Sequence, residues 1–166
     1  MHKDSSITSL DDLKDKTVDF ADPLSTTTVY GAYLLAQKNE TLKTYFKKAI
    51  YSGSHDMTIE LVANKLVDAG FIDGHIWDYH HNVRPAYSGQ TKVIHRSPDF
   101  TIPPVVVSRT LDPEIKAEVK KILLTMHEDA KGKGILKKLR IDKFIDIKDT
   151  DYDDVYEMYQ GIKDRL

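Results

Sequence analysis

Three short stretches gather the side chains that could do chemistry. Residues 22–28, "DPLSTTT", set Ser25, Thr26, Thr27 and Thr28 in an unbroken run directly before an apolar helical pattern. Residues 52–56, "SGSHD", bring Ser52, Ser54 and His55 together, and residues 73–75, "DGH", add Asp73 and His75. One hydroxyl is enough to cap a helix, because a single side-chain oxygen satisfies one orphan amide of the first turn. A longer run asks for a second role. Hydroxyls, an imidazole and unpaired helix amides are all donors, and together they suit a tetrahedral oxyanion at the positive end of a helix dipole. The plainer alternative is that these residues only cap helices and shape turns.

Such residues act as one site only if the elements around them bring them together. Residues 17–21, "TVDFA", alternate apolar Val18 and Phe20 with polar Asp19 and predict a strand. A helix follows from about Thr27, with Val29, Ala32, Tyr33 and Ala36 on one face. "KAIYSGS" predicts the next strand, ending in a Gly-Ser turn, and "HDMTIELVANK" a helix burying Ile59, Val62 and Ala63. "LVDAGFID" is apolar enough for a strand buried on both faces, a helix covers about 75–83, and "TKVIHRS" predicts a fourth strand. This alternation gives an α/β fold, a mostly parallel sheet flanked by helices. Ligands of such sheets sit at the carboxyl ends of the strands, so the three stretches are expected around one crevice.

The remainder changes character. "PPVVVSR" predicts one short cross-over strand, and three helices follow in "DPEIKAEVKKILLTM", "DAKGKGILKKL" and "YDDVYEMYQGI". The first opens on Asp112 as cap with Pro113 at the first helical position, and lines up Ile115, Val119, Ile122 and Met126. These helices have faces to bury and little sheet of their own. The expected division is an α/β lobe over residues 9–95 and a helical return over 96–166.

Composition narrows the class. The 166 residues are 40% hydrophobic and 30% charged, which fits a globular chain of one domain or a small pair. With 24 Lys plus Arg against 26 Asp plus Glu, the formal charge of -2 gives no overall attraction to nucleic acid or an anionic membrane. There is no cysteine, so disulfides and thiolate metal sites are excluded. No apolar run approaches the roughly 20 residues of a membrane-spanning helix, and "MHKDSSITS" has no apolar core of a secretory signal.

The stretches "DLKDKTVDFADPLSTTT", "YSGSHDMTIELVANKLVDAG" and "RSPDFTIPP", in this order and spacing, resemble the phosphonate-binding family of ABC-transporter substrate-binding proteins. These are type 2 periplasmic binding proteins, two-lobed clamps that close on phosphate, phosphite or phosphonate. The likeness runs from about residue 8 to 155 and includes "DYDDVYEM". It implies that Ser25, Thr26 and Thr27 hold phosphonate oxygens with the helix amides behind them, and that His55, after Ser54, contacts the same oxyanion. At His75, beside Asp73, members that take aminoalkylphosphonates can carry a carboxylate for the amine, and Pro103 stands where the family often has an acidic residue. Both departures remove negative charge, which implies a ligand without an amine. The resemblance also implies that the chain starts where the second lobe starts, that the helical return packs on a first lobe, and that the full-length parent works in the periplasm with an ABC permease. No cofactor and no catalysis are implied. Apolar surface left exposed on the return is expected to promote self-association.

Two other readings compete. "HIWDYHH" places His75, Asp78, His80 and His81 within seven residues, a set that could serve a metal-dependent hydrolase. Its spacing is not that of H-E-x-x-H, and "SGSH" is not a nucleophile elbow, so a solvated histidine-rich helix is the plainer account. The other is a stand-alone or sensory interaction module built on the same lobe. The basic tract "KGKGILKKLR" reads as a solvated helix face, and not as a nucleic-acid site.

Overall fold

The structure, a computed structural model, describes residues 1–165. Three strands, β1 (Thr17–Phe20), β2 (Lys48–Tyr51) and β3 (Ala69–Phe71), form a parallel sheet of order β2-β1-β3. The central strand is covered on both faces: Val18, Asp19 and Phe20 are each fully buried. Asp19 lies opposite Ile50 on one side and Gly70 on the other. Between the strands run α1 (Thr26–Ala36), the single turn α2 (Leu42–Tyr45) and α3 (His55–Ala63). After β3 come α4 (Gly74–Val83) and α5 (Pro85–Ser88), then α6 (Pro113–Thr125), α7 (Ala130–Leu139) and α8 (Asp153–Ile162). No helix among the described residues is long and apolar enough to cross a membrane.

The chain divides into two compact units, one of Met1–Phe100 with the helix from Asp153 onward, the other of Thr101–Tyr152. In the first, the rings of Phe20 and Phe71 stack at 4.6 Å and Phe46 meets both edge-on, forming the core beneath α1. On the opposite face α3 lies close to the sheet because Gly70 has no side chain: a Cβ there would stand 2.3 Å from Thr58 Cγ2. The expected division, 9–95 and 96–166, differs from this one at residues 1–8, at 96–100 and in the helix from Asp153 onward. Val155, Met158 and Ile162 repeat at three and four residues, and that stripe packs against the α1 side of the core, with Ile162 1% exposed. Full burial of such a side chain is worth about 1.5–3 kcal/mol, which accounts for α8 staying with the α/β unit.

Two expected strands do not form. At residues 91–97 only a single antiparallel bridge, His2 with Thr91, is made, supported by the amide of Lys92 donating to Met1 O at 2.8 Å. Beyond it His95 turns to α1, stacks on Tyr30 and reaches its hydroxyl at 3.1 Å. Pro103 and Pro104 remove two ladder donors, and Val105, Val106 and Val107 run exposed and unpaired among the described residues. In this second unit the Asp112 carboxylate accepts from the amides of Glu114 and Ile115, the cap its sequence announces, and Asp129 caps the next helix by accepting from Gly132. The hydroxyl of Tyr152 donates to Ile102 O at 3.0 Å and that of Thr101 to Asp151 O at 2.7 Å, tying the ends of the unit together.

Candidate functional site

The carboxyl ends of the three strands are bound to one another. Past β2, the amides of Ser52 and Gly53 donate to Phe20 O and Ala21 O at 3.1 and 2.9 Å, so the β2–α3 turn continues the sheet alongside the β1–α1 loop. Gly53 takes a φ of 89°, the left-handed region where a side chain would be strained, and this bends the chain into α3. Past β3, the amide of Asp73 donates to Nδ1 of His55 at 3.4 Å. A ring nitrogen that accepts carries no proton, so the His55 proton resides on Nε2, where it is free to donate outward.

The three helix starts are not equivalent. Ser25 caps α1: its hydroxyl accepts from the amide of Thr28 and its carbonyl from those of Thr28 and Val29. Ser54 caps α3 in the same manner, with its hydroxyl taking Met57 and its carbonyl Thr58. Among the described residues no protein group accepts from the amides of Thr26, Thr27, His55 or Asp56, so each of these helices presents two open donors at its positive end. At α4 the Asp73 carboxylate itself takes the amides of His75 and Ile76, at 2.7 and 3.3 Å. The α4 terminus is thereby closed by a negative charge and has little to offer an anion.

The hydroxyls differ as well. Ser25 donates to Asp22 O at 3.0 Å, Thr28 is buried and donates to the same carbonyl at 2.6 Å, and Thr27 sits 2.8 Å from Ser25 Oγ. Thr26 makes no hydrogen bond with its hydroxyl among the described residues, and the proton of Ser54 is likewise uncommitted. Burial holds the Tyr51 hydroxyl above its ordinary pKa, and the nearby Asp22 carboxylate acts in the same direction.

Asp19 and Thr58 escape a reading by pattern, and Ser52, expected at the crevice, turns inward to join them. Asp19, Ser52 and Thr58 form a network under the β2–α3 turn, in which both hydroxyls donate to Asp19 Oδ2, Ser52 at 2.7 Å. Alternation along residues 17–21 marks Asp19 as a polar face, whereas the sheet is covered on both sides and Asp19 is 0% exposed. The available signal is an acidic residue in a strand whose neighbours predict double coverage.

The histidines of α4 are parted. His80 contacts Asp56, Asp78 faces Arg96 at 3.4 Å, and His81 stacks on Trp77 at 4.6 Å, while His75 is exposed. Among the described residues no group of three or more histidine or carboxylate side chains is gathered to hold a metal ion. Of the four residues of the metal-hydrolase alternative, Asp78, His80 and His81 are thus turned to separate partners among the described residues, and His75 is exposed.

Comparison with known proteins bears on this arrangement. Residues 1–152 match the model of a family described as ABC transporter, phosphonate, periplasmic substrate-binding protein. The chain is 27% identical over 161 residues to the probable ABC transporter phosphite binding protein PhnD1 of Prochlorococcus marinus (strain MIT 9301), covering 93% of this chain and 54% of that protein. It thus spans about half the length of the relative it matches. The structure of PhnD1 from Prochlorococcus marinus in complex with methylphosphonate superposes with a TM-score of 0.80 at 25% identity, over 98% of this chain and 62% of that one. XAC2383 from Xanthomonas citri, bound to chloride ion, shares the fold at a TM-score of 0.66 and 20% identity, over 99% of this chain and 63% of that one.

Proposed function

The chain belongs to the phosphonate-binding family of ABC-transporter periplasmic substrate-binding proteins, and from that premise we propose that it binds a small phosphorus oxyanion at the amino termini of α1 and α3. The observation that carries this reading is the pair of adjacent helix starts, linked by the Gly53 amide to Ala21 O, each with two open amides. The amides of Thr26 and Thr27 and the Thr26 hydroxyl hold oxygens from one side. The amides of His55 and Asp56, the Ser54 hydroxyl and His55 Nε2 hold them from the other. Ser25 and Asp73 serve from behind, the first by shaping the α1 cap, the second by orienting the His55 ring. Such donors are strong because each hydrogen bond to the ligand is assisted by its charge.

A ligand without an amine fits best. The relative is named for phosphite and its structure holds methylphosphonate, neither of which carries an ammonium group. His75 supplies no fixed negative charge at the start of α4, and the carboxylate there, Asp73, is occupied as a cap. In a longer protein the Thr101–Tyr152 unit and the matched share of the relatives imply a partner lobe, closure over the anion, and delivery to an ABC permease from the periplasm. Closure would exclude water and strengthen each contact, so the single chain is expected to bind more weakly than a full clamp.

Isothermal titration with phosphite, phosphate, methylphosphonate and 2-aminoethylphosphonate tests the reading. Heat is expected from an amine-free anion and is expected to vanish in a Thr26→Val/His55→Ala double variant. A folded chain that takes up none of them, or one that keeps its binding in the double variant, overturns the assignment of the site.

A further inference from the structure

We propose that Asp19 is a positioning residue for the turn that carries Ser54 and His55, an inference that rests on the oxyanion reading above. Its carboxylate lies in the middle of the central strand, fully buried, and faces α3. Oδ2 accepts the hydroxyl protons of both Ser52 and Thr58, while Oδ1 has no partner among the described residues. A buried carboxylate with one oxygen unpaired is a costly choice for a strand interior, where an apolar residue of similar size would do as well or better for stability. What it supplies instead is direction.

Each hydroxyl has one proton to give. Ser52 Oγ lies 3.3 Å from Ser54 O, Thr58 Oγ1 lies 3.1 Å from the same carbonyl, and the two hydroxyl oxygens are 3.3 Å apart, so without Asp19 the protons would turn to Ser54 O or from one hydroxyl to the other. That carbonyl is the acceptor of the first helical bond of α3, from the Thr58 amide at 3.1 Å. By drawing both protons to itself, Asp19 leaves Ser54 O to the helix and pins the two ends of the turn, Ser52 before it and Thr58 after it. The open amides of His55 and Asp56 are thereby held in place. A second consequence is that Ser52, although it belongs to the same serine-histidine stretch, has its proton pointed inward and does not serve the ligand.

The test compares the parent chain with Asp19→Val, Asp19→Asn and Ser52→Ala. Titration with phosphite and methylphosphonate, thermal midpoints, and amide correlation spectra are recorded for each. Asp19→Val is expected to keep or raise the thermal midpoint and to weaken binding on the order of tenfold, the worth of one charged hydrogen bond. Asp19→Asn, which retains an acceptor oxygen, should bind closer to the parent. Amide signals should move over residues 53–57 and stay in place over 26–28. Unchanged affinity in folded Asp19→Val, or a loss of stability with no change in affinity, overturns the proposal. If Asp19→Val does not fold, Ser52→Ala decides by the same readouts. A parent chain that binds neither anion refutes the oxyanion reading, and the spectra still decide on Asp19: shifts confined to the turn support it and unmoved shifts overturn it.

Discussion

At the scale of single residues, the proposed division between ligand donors and scaffold follows from where each proton already goes. Ser25 and Thr26 are neighbours of nearly the same chemistry, yet Ser25 gives its proton to Asp22 O and its lone pair to the Thr28 amide, whereas Thr26 gives its proton to no protein group among those described. The two substitutions should therefore separate. Ser25→Ala removes a cap and is expected to cost about 1 kcal/mol of stability, a fall of roughly 2–4 °C in thermal midpoint. Thr26→Val leaves the cap intact and is expected to spare the midpoint while weakening oxyanion binding about tenfold, one charge-assisted hydrogen bond. Thermal scans and titrations on the two variants check this, and a Thr26→Val protein that loses stability but not affinity contradicts it. The hydroxyl run is legible as a candidate site because of its length. Which hydroxyl faces outward is not, since that depends on the Asp22 carbonyl folding back beneath the helix start.

At the scale of elements, helices were more legible than strands, and the caps explain the difference. Ser25, Ser54, Asp73, Asp112 and Asp129 each announce a helix that is present, because a cap and the turn it closes are contiguous in sequence. A strand exists only through a partner, and the apolar stretches at residues 91–97 and 103–109 find none among the described residues. The short turns α2 and α5 carry too few residues for a periodic signal. The site itself depends on how closely α3 approaches the sheet, and that is set by one glycine. A methyl group on Gly70 would meet Thr58 Cγ2 at 2.3 Å and Val62 Cγ2 at 3.2 Å, with no flexible side-chain end to yield. Gly70→Ala is expected to cost about 2 kcal/mol or more by overpacking and to push the start of α3 away from β1. Chemical denaturation should show the loss in midpoint. Methylphosphonate titration should show weakened binding in whatever fraction remains folded, and an unaltered midpoint would mean that α3 does not rest where it is placed.

At the scale of the whole molecule, the smaller unit, Thr101–Tyr152, exposes much apolar surface for its length. Ile102, Val105 and Val106 are 67%, 63% and 78% exposed, and Ile115 and Ile122 on α6 are about half exposed. The three valines form a β-branched segment outside any helix or strand whose backbone groups are unpaired among the described residues, a surface able to add a strand to another sheet edge. In water each such side chain gains on the order of 1.5–3 kcal/mol if covered, so a second copy supplies an attractive neighbour wherever no other part of a longer protein does so first. The chain is therefore expected to self-associate with rising concentration in sedimentation experiments. Replacing Val105 by Lys and Val106 by Glu should hold it monomeric without loss of helix signal, because neither side chain contributes to a core. Since these residues are not part of the proposed oxyanion site, the same double variant should bind phosphite or methylphosphonate as the parent does. A parent chain that stays monomeric across the range would show that the segment is satisfied within its own unit. Association that survives the double variant would place the contact elsewhere, with the half-exposed face of α6 the next surface to alter.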